Sequence, residues 1–443
     1  MKRSYAFGLA LSLVLTGAFL IQKAGSANGK VTAQVTFSKD VAPIIFNNCA
    51  GCHQPGETAP MALLNYKQAR PWAKSIREVV ANKTMPPWYA DPKHGEFIND
   101  RSLSQKDIDT IVAWVDQGAT EGNAKDLPAA PKLRQEGWAI GKPDVEFPLP
   151  QSYKVPTDGT VDYQHFVVHT KFTEDKFIQA AEIKRGNAAL VHHVIVTVIE
   201  PVNGQLPPEG LLTRNLGGLG ENQQRTGNAS TANANRNRDS MLVGWAPGMS
   251  PLTLQPGIAK RIKKGSALVF QMHYTTNGVP GEDRTSIGMK FASAPVEKQF
   301  ITSGGASARE LVIPPNAAHY ESKSSFTFTE DAHIWGFMPH MHLRGKDYKY
   351  TLVLPDGTSK VVLNVPKYDF NWQLNYWVKA PIAAPKGSRL ECVAHHDNST
   401  ANKFNPDPTK EVRWGPQTWE EMMIGWFDYT LDGQNLRVTA SNK

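Results

Sequence analysis

The chain has 443 residues, of which 40% are hydrophobic and 20% charged, and its formal net charge is +7. This composition is ordinary for a globular protein and excludes a wholly disordered chain. The basic residues are scattered rather than clustered with aromatic residues, which argues against a nucleic-acid partner. The length allows about three domains.

The first 27 residues have the pattern of a secretory signal peptide. Lys2 and Arg3 precede the apolar run Ala6–Ile21, and small residues follow at Ala24–Ala27. The apolar run is short of the roughly 20 residues that cross a membrane. We therefore expect cleavage, no membrane span afterwards, and a periplasmic or secreted protein; an uncleaved anchor is the alternative.

Residues 34–123 show helical patterns. Ser104 and Asp107 form a capping box ahead of apolar residues on one helix face, and Pro71 opens a second helical stretch, Arg70–Lys83. Between α-type segments lies Cys49-Ala50-Gly51-Cys52-His53. Two thiols at this spacing attach haem c covalently, and the following histidine then ligates the iron. A zinc ribbon is the alternative, but it would need further nearby ligands, and only His94 is available.

The sixth iron ligand is predicted to be Met85, which lies in the rigid loop Thr84-Met85-Pro86-Pro87-Trp88. Met61 is the competing candidate, and core packing is the alternative role for either methionine. Histidine and methionine together raise the reduction potential of haem iron. A six-coordinate iron suits electron transfer better than peroxidase chemistry.

After a linker at 124–150, apolar residues recur at every second position, as they do in β-strands. Short β-type runs separated by turns such as Pro355-Asp356-Gly357 fill residues 151–295 and 296–440, which favours two β-sandwiches. Asn215–Ser240 is a polar, low-complexity insert that cannot build a core.

Three histidine motifs and one methionine, Met422, stand out in this part of the chain. Neighbouring side chains on a strand point to opposite faces, so His192 and His193 can bind one ion only across a β-bulge. His340 and His342, two residues apart, share a strand face. Imidazoles with one thioether and no thiolate suit copper. The candidate copper ligands are His192, His193, His273, His340, His342 and Met422.

The order of these motifs resembles the copper type II ascorbate-dependent monooxygenases, the family of peptidylglycine α-hydroxylating monooxygenase and dopamine β-monooxygenase. The resemblance covers roughly Asp144–Thr430, and Gln271 also matches the family. It implies two jelly-roll sandwiches that each hold one copper ion. It assigns the electron-transfer copper to His192, His193 and His273, and the O₂-activating, catalytic copper to His340, His342 and Met422.

The expected architecture is therefore multidomain. A small all-α cytochrome c domain at 34–123, which resembles bacterial cytochromes c, would precede two all-β jelly-roll-type sandwiches at 151–295 and 296–440.

Three departures from the family matter. Cys392 has no cysteine partner, whereas the animal enzymes are rich in disulfides. Met338 stands where the peptide-hydroxylating relatives have a carboxylate-binding arginine, and Ile424 and Trp426 replace an asparagine and a tyrosine. An apolar substrate pocket is implied, and a glycine-extended peptide is a poor candidate.

The remaining histidines are expected to be structural: His165, His169, His319 and His333. Cys392-Val393-Ala394-His395 faintly suggests a blue-copper loop, but no upstream histidine and axial methionine accompany it.

The sequence thus predicts an exported monooxygenase with one haem c and two copper ions, which hydroxylates a small apolar substrate with O₂. An ascorbate-like reductant or a redox protein would supply electrons, which enter through the haem. The alternative is a non-catalytic haem–copper electron carrier or copper-binding protein.

Overall fold

A computed structural model of the chain describes residues 34–55, 57, 59–130, 137–212 and 241–436. The predicted signal peptide at 1–27 and the polar insert Asn215–Ser240 lie outside these residues. In the described part, no helix combines the length and apolar character needed to cross a membrane.

The helices lie in the first quarter of the chain. They are α1 (Ala42–Asn48), α2 (Tyr66–Ala69), α3 (Ala73–Ala81) and α4 (Gln105–Asp116), with short π or 3-10 turns at Phe37–Val41, Arg70–Trp72 and Ala124–Asp126. The capping box is confirmed, because the Ser104 hydroxyl accepts from the Asp107 amide at 3.1 Å and donates to its carboxylate at 2.7 Å. Phe37, Ile45, Ile76, Ile111 and Trp114 form the core between these helices.

The rest of the described chain is built from strands. In chain order the first are β1 (Val145–Pro148), β2 (Tyr153–Val155), β3 (Gln164–His169), β4 (Lys176–Lys184), β5 (Val191–Ile199), β6 (Gly210–Leu211), β7 (Met241–Trp245), β8 (Leu252–Thr253), β9 (Ile258–Ile262), β10 (Ala267–Tyr274), β11 (Gly281–Asp283) and β12 (Ser286–Phe291). The later ones are β13 (Lys298–Gln299), β14 (Ile301–Ser307), β15 (Val312–Ile313), β16 (Tyr320–Thr327), β17 (Ala332–His340), β18 (Gly345–Val353), β19 (Ser359–Val365), β20 (Tyr376–Ala384), β21 (Arg389–His396), β22 (Val412–Arg413) and β23 (Ile424–Leu431).

These strands form small sheets. One has the order β1-β12-β4-β9-β13 with β8 beside β4, and another has the order β6-β3-β10-β5-β7. Two four-stranded sheets follow, β14-β23-β17-β20 and β16-β21-β18-β19, and β2 with β11 and β15 with β22 form two-stranded pairs. One buried cluster joins the first two sheets and includes Phe166, Ile178 and Phe270. Another joins the four-stranded sheets and includes Phe337, Tyr350 and Phe427.

The predicted fold class, an all-α cytochrome c domain followed by two jelly-roll-type sandwiches, is wrong. About 38% of the described residues are in strands and 12% in helices, the helices are short, and the small sheets have a propeller-like arrangement. The described residues from Val35 onward cluster as one compact unit.

The segment after α3 shows why no separate helical domain forms. Phe97 pairs with Val378 of β20 as an isolated bridge, and the amide of Lys379 donates to the Glu96 carbonyl at 2.8 Å. The Trp88 ring lies 4.9 Å from that of Tyr376. The helices share a core of their own, but this segment packs against the core of the later sheets and so joins the first part of the chain to them.

Candidate metal and haem sites

The end of α1 places the two thiols of the Cys-x-x-Cys-His motif in one tight turn. The amides of Cys52 and His53 both donate to the Cys49 carbonyl, at 3.1 and 3.0 Å. Both cysteines are free thiols. Burial raises the pKa of the Cys49 thiol to about 12 and also raises that of Cys52.

His53 has the orientation that an axial haem ligand needs. Its Nδ1 lies 3.1 Å from the carbonyl oxygen of Met61. A carbonyl only accepts hydrogen bonds, so Nδ1 carries the proton and Nε2 keeps its lone pair. Burial also lowers the pKa of His53, which keeps the imidazole neutral. The turn therefore fits a covalently attached haem.

Met85 lies in the loop after α3, half-buried, and its amide is bonded to the Val79 carbonyl at 3.2 Å. Met61, the competing ligand, packs its side chain against the core between the helices. Among the described contacts none joins Met85 to His53. Met85 as sixth ligand stays a prediction.

His192, His193 and His273 are brought together at the end of two paired strands. β5 and β10 are antiparallel, His273 lies opposite His193, and the register shifts so that Tyr274 lies opposite Val191. His192 is therefore the extra residue of a β-bulge, and both neighbouring histidines face His273. One ligand nitrogen from each of the three lies within 4.8 Å of the others. His193 Nδ1 and His273 Nδ1 are 3.3 Å apart.

The electrostatics of this cluster fit a metal ion. Burial lowers the pKa of His192, holds that of His193 well below its usual value, and lowers that of His273 to about 3. Neutral imidazoles keep the lone pairs that bind metals. Nδ1 of His192 and Nε2 of His193 are buried without a hydrogen-bond partner. Each such buried polar atom costs about 1–3 kcal/mol, a cost that a coordinated ion removes.

Two neighbours of this cluster were not identified as site residues in the sequence. The Tyr163 ring lies 5.2 Å from the His193 ring and 4.9 Å from the His273 ring. His165, expected to be structural, is 3.3 Å from the amide nitrogen of Gln271. The side chain of Gln271 also bonds to His193, which links the family-matched glutamine to the cluster.

His340 and His342 form a second set at the end of β17. Their ring centroids are 5.2 Å apart. His340 Nδ1 is 2.6 Å from the side-chain oxygen of Gln373, so Nδ1 donates and Nε2 remains as ligand atom. His342 Nδ1 lies 3.2 Å from the Glu420 carbonyl oxygen. Burial lowers the pKa of His340 to about 4 and that of His342 well below its usual value.

Glu421 ties Met422 to this second set. Its fully buried carboxylate accepts from the backbone amides of His342 at 2.9 Å, Arg344 at 2.7 Å and Met422 at 3.0 Å. Burial raises the pKa of Glu421 to about 7, and the three amide hydrogen bonds act against that rise. The carboxylate therefore fixes the turn that carries His342 beside the residue that carries the thioether.

The two histidine sets face one another across Phe370. Its ring stacks on His192 at 5.8 Å with an interplanar angle of 18°, and it meets His342 edge-on at 5.9 Å. The positive charge that His340 can carry lowers the pKa of His193, and His273 acts in the same way on His342. Both sets contact the Phe370 ring, so they belong to one region.

A pocket adjoins the apolar cluster that contains Met422. Its apolar wall includes Met338, Trp426 and Met241, which also pack in one cluster with Met422. The lining also includes buried Lys260, which donates to the Met241 carbonyl at 2.7 Å and to Thr302. Thr302 in turn donates to Asp428, whose pKa burial raises to about 6. The pocket thus combines apolar side chains of the Met422 cluster with a buried, hydrogen-bonded polar group.

The segment that follows the two thiols is linked through Arg185, the residue after β4, to the sheet that carries the first histidine set. Glu57 and Arg185 are paired at 3.5 Å with side chains only 15% and 8% exposed. The Arg185 guanidinium lies 4.1 Å above the Trp245 ring, and Trp245 on β7 pairs with Val194, the residue after His193.

Cys392 is fully buried in the core of the four-stranded sheets, near Tyr348 and Ser324, whose hydroxyls donate to the Met423 sulfur. This placement gives it a packing role.

No protein-family model matches the chain, and no curated protein matches it. Among solved structures, the subviral particle of infectious bursal disease virus VP2 is 9% identical, with the match covering 66% of this chain and 73% of that chain at a TM-score of 0.19. The lipid-containing bacteriophage PM2 gives 9% identity, 69% and 76% coverage, and a TM-score of 0.13. Likenesses this low carry no argument about fold or function.

Proposed function

We propose that this chain is an exported, haem- and copper-dependent monooxygenase that hydroxylates a C–H bond of a small apolar substrate with O₂, and that electrons enter through a c-type haem. The observation that carries the proposal is the pairing of two buried, neutral imidazole sets on either side of Phe370.

The donor atoms support one copper ion in each set. His192, His193 and His273 would hold the first, and His340, His342 and Met422 would hold the second, with a softer thioether that suits Cu(I). Cys49 and Cys52 would attach haem c, with His53 and Met85 as axial ligands. When bound, these groups supply O₂ activation and one-electron transfer, which no side chain provides.

The chain's own residues bind and orient the substrate. The cavity wall formed by Met338 and Trp426 lies in the same cluster as Met422, so an apolar molecule there would adjoin the second set. The lack of an arginine at position 338 disfavours a carboxylate substrate.

Hydrogen bonds from neighbouring residues fix the orientation of the candidate ligands in the second set. Gln373 orients His340, and Glu421 joins the backbone of His342 to that of Met422. Such outer contacts fix ligand orientation and are worth 10–100-fold in affinity or activity. Burial lowers the pKa values of all five imidazoles and so keeps them neutral.

The contact from Glu57 through Arg185 and Trp245 to β5 supports the inlet role of the haem turn, since it links that turn to the strand of His193. A tether raises the effective concentration of an electron donor at its acceptor. The external donor would be an ascorbate-like reductant or a redox protein. The signal-like segment at 1–27 supports export.

The experiment is metal and haem analysis of periplasmically matured protein, followed by an O₂-uptake screen over apolar substrates. We expect two coppers per haem and substrate-dependent O₂ uptake. Uptake should be lost in His342→Ala and Met422→Ala. It should be kept in the control His333→Ala, since His333 lies on β17, the strand that ends at His340, and its side chain pairs with Asp432 near the surface.

Bound copper and a cycling haem without substrate-dependent O₂ uptake would instead support the electron-carrier alternative. Fewer than two coppers per haem would contradict the two-site assignment.

A further inference from the structure

We propose that the outward face of the sheet β16-β21-β18-β19 carries an additional divalent-metal site, formed by His319, Asp347 and His395. One ligand atom from each of the three lies within 4.8 Å of the others. None of these residues belongs to the copper or haem sets, and the proposal does not rest on the proposed function.

The sheet register places the three side chains on one face. His395 on β21 lies directly opposite Asp347 on β18 and Glu321 on β16. Directly opposite residues point to the same side of a sheet. On β21 the neighbours Ala394 and His396 are buried, so His395 belongs to the other, outward face.

His319 reaches the same face from the segment before β16. It lies two residues before Glu321, and its ring centroid is 4.0 Å from that of His395. Two imidazoles at this separation, both on an accessible surface, offer a chelating pair. A lone surface histidine has no such partner.

Asp347 fixes the tautomer of His395. In the metal-free protein its Oδ1 accepts a hydrogen bond from His395 Nδ1 at 2.7 Å. A metal ion held by all three residues would take the place of this proton, between His395 Nδ1 and the Asp347 carboxylate. Glu321 Oε2 lies 3.7 Å from Nε2, beyond hydrogen-bond distance, and Glu321 is paired with Lys323 at 2.6 Å.

Imidazole and carboxylate donors without sulfur suit Zn²⁺ or a similar first-row divalent ion. The ion would connect three segments that are distant in sequence: the turn before β16, β18 and β21. This donor set differs from the second copper set, where Met422 supplies a thioether.

The test is a Zn²⁺ titration of the haem-attached, copper-loaded protein, with zinc and copper content measured after gel filtration and the zinc affinity measured against a chromophoric chelator. His319→Ala is the main variant, because His319 is exposed and outside the strands. His94→Ala is the matched control, since His94 lies 3.9 Å from a single carboxylate, that of Asp91.

We expect wild type and His94→Ala to bind one more zinc than His319→Ala, with unchanged copper in all three. Asp347→Asn, which keeps the side-chain shape, should weaken zinc binding about 10–100-fold. Equal zinc content and affinity in wild type and His319→Ala would overturn the site and leave His319, Asp347 and His395 as an ordinary hydrogen-bonded surface group. Loss of copper alone would bear on the proposed function and not on this site.

Discussion

The carboxylate of Glu421 accepts a hydrogen bond from the backbone amide of His342 at 2.9 Å, deep in a region with no solvent exposure. The same oxygen accepts from the amide of Met422 at 3.0 Å. One buried side chain thus connects two candidate copper ligands that are 80 positions apart in the sequence.

Replacing Glu421 with Gln should disrupt the second metal set selectively. An amide group has half of the acceptor capacity of a carboxylate, so at least one buried backbone N–H loses its partner, at a cost of about 1–3 kcal/mol. We expect copper content to fall from two ions towards one and the free energy of unfolding to drop by that amount. Glu391→Gln, at an exposed pair with Arg389, is the control. Full copper content in Glu421→Gln would contradict the role of this carboxylate.

The metal-free protein should lose stability in acid partly through His273. Its folded pKa of about 3 lies below its ordinary value of 6.5. The unfolded state therefore binds more protons between these values, and stability falls as pH drops from 6.5 towards 3. One such histidine contributes roughly 1.4 kcal/mol per pH unit.

His273→Ala should show a shallower pH dependence of the free energy of unfolding than wild type over this window, measured by urea denaturation of the copper-free protein. Parallel slopes for His273→Ala and wild type would be inconsistent with a buried neutral His273.

Two ion pairs join the first quarter of the chain to the sheets and should differ in strength. Glu57 and Arg185 are nearly buried, whereas Glu96 and Lys379 are 76% and 68% exposed. Removing one partner of a buried pair costs about 3–5 kcal/mol, and an exposed pair is worth about 0–1 kcal/mol. Glu57→Gln should destabilise the protein far more than Glu96→Gln in urea unfolding. Similar values for both variants would argue against docking of the haem turn through Arg185.

Met338→Arg should change substrate preference. Met338 lines the cavity and packs against the cluster that contains Met422. A guanidinium at this position would raise the free-energy cost of binding an apolar substrate and would attract a substrate that carries a carboxylate. For a neutral substrate identified by O₂ uptake, we expect KM to rise at least about tenfold, which corresponds to roughly 1.4 kcal/mol, with copper content unchanged. Met249→Arg, elsewhere on the cavity lining, is the comparison variant. An unchanged KM in Met338→Arg would place the substrate elsewhere.

Local features of the fold could be predicted from the sequence. The helix at Gln105–Asp116 begins where Ser104 and Asp107 indicate, because capping and apolar spacing are both local signals. The fold class could not be predicted in the same way. Residues 82–104 have no strong period, and their packing against β20 is a long-range contact that no local pattern encodes.

The candidate site, too, could be predicted from the sequence only in part. His340 and His342 share a strand face by spacing alone, but the bulge that turns His192 and His193 to one side depends on the register of β5 against β10. Gln373, Phe370 and Glu421 carry no motif of their own. They reach the histidines from segments 30 to 180 positions away, so only the folded chain brings them to the site.

The most direct test of the central claim is the fate of oxygen atoms during turnover. Periplasmically matured protein, with haem attached and both copper sets loaded, is supplied with a reductant, an apolar substrate and ¹⁸O₂, and the product is analysed by mass spectrometry. A monooxygenase predicts one ¹⁸O atom in each hydroxylated product, with no label in product formed by His342→Ala. Reduction and reoxidation of haem and copper with no labelled product from any substrate that binds would contradict it.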